Sequence, residues 1–237
     1  IDTLDHRGLD CLSLPETTLA DLLKQAGYAT GLIGKWHLGR LDPRYHPTER
    51  GFDEFAGFCG GWSDYYKWRL DLNGRRLDAD GRYLTDVFTE EAAAFIQRHA
   101  REQFFLHVCY TAPHFPFQVP RKFATPFLRS GEFTPAVCAI YGMIKYMERG
   151  VERLLDELDR QGITDNTIVI FASDNGPQLG GEGDLCTDRY NCGFAGAKGL
   201  VYEGGIRVPC IIRWPDGIPS DHRCGEMIQF TDWLPAV

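Results

Sequence analysis

Apolar positions along the chain follow two rhythms, one helical and one extended. Leu19, Leu22, Leu23 and Ala26 recur at helical spacing and predict a first helix. It opens at Thr18, with Asp21 three residues on as a capping-box partner, and stops at Gly27. A strand over 28–33 follows. Phe88, Ala92, Phe95 and Ile96 share one face of a second helix over about 86–99, and 104–110 reads as a buried strand. Val137, Ile140, Ile144, Met147, Val151, Leu154 and Leu158 mark a long helix from about Pro135, with Gly162 as its stop. The run Thr167-Ile168-Val169-Ile170-Phe171-Ala172 is continuous and β-branched, the pattern of a strand buried on both faces of a parallel sheet. Residues 208–214 give one more strand. This alternation predicts an α/β fold: a mostly parallel central sheet with helices on both faces.

Polar breaks between these elements carry the chemistry. The strand over 28–33 runs into Gly34-Lys35-Trp36-His37, and that over 104–110 into Ala112-Pro113-His114. The strand ending at Ala172 breaks into Ser173-Asp174-Asn175-Gly176. In open α/β sheets, ligands bind at the carboxyl ends of the strands. Lys35, His37, His114, Asp174 and Asn175 are therefore expected on one edge, with Lys198 on the long glycine-rich loop beyond. Two adjacent oxygen donors, Asp174 and Asn175, suit a hard divalent cation, although the same residues also build turns. Lysines and histidines beside a cation can hold a tetrahedral oxyanion and stabilise charge on its departing oxygen. His6, His46, His99, His107 and His222 have no such placement and read as structural. Residues 40–80, rich in Gly, Pro and aromatics, read as an excursion over this edge, with Asn73-Gly74 as a tight hairpin turn.

Bulk properties narrow the classes of partner. The chain has 237 residues, enough for one large domain, and a formal net charge of −8. That balance disfavours nucleic acid or an anionic membrane as partner. No apolar run is long enough to span a bilayer, and the first residues lack the charged-then-apolar start of a signal peptide. The eight cysteines show no C-x-x-C spacing, which argues against zinc. Cys109, Cys138 and Cys210 read as small core residues, whereas Cys186 and Cys192 share one polar loop and could pair.

Residues 27–39, Gly27-Tyr28-Ala29-Thr30-Gly31-Leu32-Ile33-Gly34-Lys35-Trp36-His37-Leu38-Gly39, resemble the second signature of the sulfatases. These are the formylglycine-dependent members of the alkaline-phosphatase-like superfamily. Gly51-Phe52-Asp53-Glu54-Phe55, Ala112-Pro113-His114-Phe115-Pro116, Ser173-Asp174-Asn175-Gly176 and Lys198 with Glu203-Gly204-Gly205-Ile206-Arg207 continue the likeness in the family's order. The resemblance implies that Asp174 and Asn175 are calcium ligands and that Lys35 and Lys198 bind the sulfate group. It also implies that His37 positions the nucleophile or sulfate, and that His114 protonates or binds the leaving-group oxygen. It further implies a sulfate ester, small or glycan, as substrate and an exported or lysosomal location.

The sequence departs from the family in two respects. It holds no C-x-P-S-R or C-x-A-S-R segment, the source of the formylglycine nucleophile, and no upstream Asp-Asp pair. Cys11-Leu12-Ser13-Leu14-Pro15 has the wrong spacing and no Arg. The expectation is therefore that residues 1–237 are a partial catalytic domain, an internal fragment inactive by itself. Two competitors stand beside the sulfate-ester hydrolase: a phosphodiesterase or phosphonate hydrolase of the same superfamily, and a non-catalytic homologue that binds sulfated glycans. Trp62, Tyr65, Tyr66 and Trp68 either stack on a sugar or pack on the domain.

Overall fold

A computed structural model describes residues 11–179 and 189–233. Its centre is a five-stranded sheet built on β1 (Ala29–Lys35), which lies between β2 (Glu54–Phe58) and β5 (Phe104–Cys109) and runs parallel to both. Beyond β2 the sheet continues with β3 (Arg69–Leu72) and β4 (Arg75–Asp78), giving the order β4-β3-β2-β1-β5. The last two strands form an antiparallel hairpin, closed by Asn73 and Gly74, both at positive φ as a two-residue primed turn requires. The excursion expected over 40–80 thus contains three strands of the sheet. β2 escaped sequence reading because Phe55-Ala56-Gly57-Phe58 is too short and glycine-broken to show a rhythm.

Alternating residues of the parallel strands feed two cores. On one face Ile33, Ala56 and Phe58 pack with Val87, Phe88 and Ala92 of α2 (Leu84–His99) and with Met143 of α4 (Pro135–Gln161). On the other face Leu32, Phe55 and Phe52 pack with Ala20 of α1 (Leu19–Gln25). Helices on both faces follow from this period of two. α1 opens with the expected capping box: Thr18 Oγ1 accepts from the Asp21 amide, and the Asp21 carboxylate accepts from the Thr18 amide. α4 runs from a Thr134 cap to Gly162 in the left-handed conformation. α3 (Arg121–Ser130), which packs on α4, was not legible because Pro126 interrupts its pattern.

One expectation fails. β6 (Val169–Ala172) does not join the parallel sheet; it pairs antiparallel with β7 (Cys210–Arg213) in a separate two-stranded sheet. Its Ile170 is 40% and its Phe171 36% exposed. A continuous apolar run shows that a strand can be buried on both faces, but burial itself needs neighbours, and among the described residues β6 has one. Cys210, expected in the core, is exposed on the same ladder, whereas Cys138 is buried and Cys109 half-buried. Cys186, and with it the possible pairing to Cys192, lies outside the described residues.

Candidate active site

β1 and β5 are parallel, so their carboxyl ends share one edge of the sheet. β1 ends on Lys35, and Cys109 at the end of β5 leads through Thr111 to His114. The end of β1 is tightly packed. Gly34 has a positive φ of 117°, and a Cβ there would lie 2.1 Å from the Cys109 carbonyl oxygen. Only glycine allows β5 to approach this closely. The Trp36 amide donates to the Phe58 carbonyl and its indole to the Tyr45 carbonyl at 2.8 Å, which fixes the turn. His37 then takes φ 57°, a left-handed conformation uncommon for a non-glycine residue and typical of functional sites.

The remaining residues arrive from the second half of the chain. Asp174 and Asn175 follow β6 after one residue, Ser173. The loop carrying Lys198 folds back onto them: the Lys198 amide donates to the Pro177 carbonyl, and the Gly176 amide donates to that of Gly205, both at 2.9 Å. Gly204, in the short helical turn α5 (Glu203–Ile206), crosses Gly176 so closely that a Cβ on Gly176 would lie 1.9 Å from the Gly204 carbonyl oxygen.

Electrostatics show which of these residues share a field. Burial pushes the Lys35 ammonium below its ordinary pKa, with Asp174 pulling it back up and Lys198 adding to the fall. His114 is lowered first by burial and then by Lys35 and Lys198, against the Phe115 carbonyl and Asp174, which raise it. Lys35 and His114 therefore both feel the charges of Asp174 and Lys198, although the four come from widely separated stretches. The structure supplies the orientation of His114. Its Nδ1 lies 2.8 Å from the Phe115 carbonyl oxygen, which can only accept, so Nδ1 carries the hydrogen and Nε2 is the nitrogen left for a ligand. His37 sits against the same edge through Gly61, whose Cβ would fall 2.7 Å from its Nε2.

Asp174 and Asn175 provide hard oxygen donors. Asn175 Nδ2 donates to the Gly176 carbonyl at 2.9 Å, so Oδ1 is the acceptor end. Calcium takes six to eight oxygens. Among the described residues no three His, Cys, Asp or Glu side chains gather as a metal cage. The pair fits the chemistry of a hard cation.

The contribution of the 59–68 loop was not foreseen. Tyr65 and Trp68, grouped with Trp62 and Tyr66 in the sequence, are buried, whereas Trp62 is 62% exposed. Burial divides the cluster into two that pack and two that face solvent. The sequence signal that could have found the split is the Gly60-Gly61 pair, which marks a close backbone approach before Trp62.

Comparison with known proteins places the architecture first and the family second. The structure superposes on a crystal structure of Ps i-CgsB in complex with k-i-k-neocarrahexaose with a TM-score of 0.86 and 29% identity, over 95% of this chain and 53% of that one. This is the alkaline-phosphatase-like α/β class. Within it, the chain belongs to the sulfatase family, which it matches over residues 3–237. It is 32% identical to arylsulfatase J of Mus musculus over 96% of this chain and 39% of that protein. It is 33% identical to N-acetylgalactosamine-6-sulfatase of Mus musculus over 90% of this chain and 43% of that protein. The chain thus spans about two fifths of the length of these curated relatives.

Proposed function

We propose that this chain contributes the sulfate-binding and leaving-group side of a sulfuric-ester hydrolase acting on a sulfated carbohydrate. The single observation that carries the reading is the field shared by Lys35, His114, Asp174 and Lys198. Two ammonium groups offer charge-assisted hydrogen bonds to the oxygens of a sulfate ester, and their attraction grows as charge develops in the transition state. Lys35 is half-buried, so its attraction is less screened by water than that of an exposed lysine. His37 positions the sulfate or the nucleophile beside them. Asp174 and Asn175 hold calcium, which when bound supplies positive charge against the sulfate oxygens. The formylglycine segment that the family uses as nucleophile has no counterpart in these 237 residues.

His114 serves the departing oxygen. With Nδ1–H committed to Phe115, Nε2 accepts a hydrogen bond when the ring is neutral and donates a proton only when it is charged. Its lowered pKa means that the charged form is populated on the acid side of the ordinary 6.5. Activity that uses His114 as the acid therefore falls as pH rises through its pKa. Support for a carbohydrate comes from the oligosaccharide in the Ps i-CgsB structure and from the exposed Trp62 indole, next in the chain to the Gly61 that meets His37, a surface on which a sugar ring can stack.

The test is hydrolysis of sulfated oligosaccharides and of 4-nitrophenyl sulfate by the natural gene product that contains this chain. Lys35→Ala and Lys198→Ala are expected each to lower kcat by about 10²-fold or more, the scale for losing one transition-state donor. His114→Gln should lower kcat and flatten the alkaline limb of the pH profile. Preferential cleavage of a phosphate diester would overturn the reading in favour of the phosphodiesterase relative. Binding without turnover would favour the glycan-binding homologue.

A further inference from the structure

β1, β2 and β5 run parallel, so the loop leaving β2 emerges at the same sheet edge as the segments that carry His37 and His114, next to the His37 segment. We propose that this loop, residues 59–68, is a positioning element that holds both histidines, with Gly61 against the His37 ring and the Tyr65 hydroxyl on the His114 backbone. The proposal rests on the assignment of these two histidines to the active site.

The His37 contact is specific to one glycine of a pair. A Cβ on Gly61 would lie 2.7 Å from His37 Nε2, 2.8 Å from Cε1 and 3.2 Å from Cδ2, whereas a Cβ on Gly60 meets nothing within 4 Å. Neither glycine has a left-handed φ, so the two differ in what they touch rather than in backbone strain. The loop backbone is the wall against which the imidazole rests, and any side chain at 61 pushes the ring away.

Four residues on, the loop takes hold of His114. Tyr65 is fully buried and its hydroxyl donates to the His114 carbonyl at 3.0 Å. The Tyr65 amide donates to Gln118 Oε1 at 3.0 Å, and Gln118 Nε2 donates to Asp64 Oδ2 at 2.8 Å. Asp64 Oδ1 accepts from the amides of Tyr66 and Lys67, each at 2.7 Å, which closes the loop on itself. Tyr83, at the start of α2, stacks on Tyr65 and donates its hydroxyl to the Gln118 carbonyl at 2.7 Å. Residues 64–67 and 114–118 are thus one cross-linked unit anchored to α2. The Tyr65 amide and hydroxyl, the Gln118 side chain and the Asp64 carboxylate are all partnered within this joint, so sliding the loop breaks several hydrogen bonds at once.

The full chain, with 13C-labelled histidine, carries the test. The ring Cε1–H resonances of His37 and His114 are assigned with His37→Gln and His114→Gln, then followed in Gly60→Ala, Gly61→Ala and Tyr65→Phe. Gly61→Ala is expected to shift the His37 resonance by several linewidths and Gly60→Ala to leave it in place. Tyr65→Phe, which keeps the ring and removes only the hydroxyl, is expected to shift His114. Equal movement of His37 in both alanine variants, or an unmoved His114 in Tyr65→Phe, overturns the proposal. A role in stability alone would lower the melting temperature without moving either ring. Should Gly61→Ala not fold, Tyr65→Phe decides. Failure of the functional reading is separable: a wild-type gene product that cleaves no sulfate ester sinks that reading and leaves these ring shifts standing.

Discussion

Two strands of similar composition end in very different surroundings. β1, with Leu32 and Ile33 at its centre, has a parallel neighbour on each side and a helix over each face; Leu32 is 0% and Ile33 2% exposed. β6, with Val169, Ile170 and Phe171, is the more apolar and has one antiparallel neighbour among the described residues. Both deliver site residues at their carboxyl ends, Lys35 and Asp174 respectively. Apolar content sets how much a strand can gain by burial, and tertiary neighbours decide how much it does gain. In this structure Lys35 is delivered by a fully packed strand, whereas Asp174 and Lys198 depend on backbone clips such as Lys198 to Pro177.

Truncation gives the largest contrast. Ile33→Ala should cost about 2–5 kcal/mol, because it removes a fully packed side chain from the cluster with Ala56 and Phe88. Ile170→Ala, at a position already facing water, should cost no more than about 0.5 kcal/mol. Urea denaturation of the two variants measures both losses. Comparable losses would mean that β6 is covered in solution, and the comparison would break.

Amide exchange gives the next contrast. Ile33 lies in a ladder flanked by β2 and β5 and should exchange only through global unfolding, whereas Ile170 should exchange through local opening. Its protection is expected to fall well short of that of Ile33 in hydrogen–deuterium exchange. Equal protection would sink the view that the Asp174 side of the site is the more loosely held.

What the sequence revealed follows the same division. The first capping box, the Asn73-Gly74 turn and the Gly162 stop were legible because each is decided by a few adjacent residues. The residues at the strand ends were legible because a buried strand must end where polar residues begin. The pairing of β6 was not, since a β-branched run looks alike on either side of a sheet boundary. Nor was the grip of Tyr65 on His114, because 49 residues separate the hydroxyl from its acceptor and no local pattern records a contact at that distance.

The smallest expected effect lies at the opposite edge of the packed half, where β2 begins. The Glu54 carboxylate bridges Arg98 at 2.5 Å and His99 Nε2 at 2.7 Å, joining β2 to the last turn of α2, while Glu102 holds His99 Nδ1 at 2.6 Å. Burial alone would lower His99, but Glu54 and Glu102 outweigh it and raise the imidazole above its ordinary 6.5. Burial alone would raise Glu54, yet His99 and Arg98 bring it below its ordinary 4.5. The raised histidine contributes stability that is complete below the unfolded value and lost as pH rises through the folded one. The lowered carboxylate contributes stability present above its unfolded value and lost as pH falls through its folded one. The latch is therefore strongest between those two ordinary values, about 4.5 to 6.5. Both side chains are partly exposed, so the gain is at most about 1 kcal/mol. Urea midpoints measured against pH should show this maximum in the wild type, and Glu54→Gln should weaken it selectively. A profile identical in Glu54→Gln and wild type would show that the latch contributes nothing and that the packed half owes its stability to its apolar core alone.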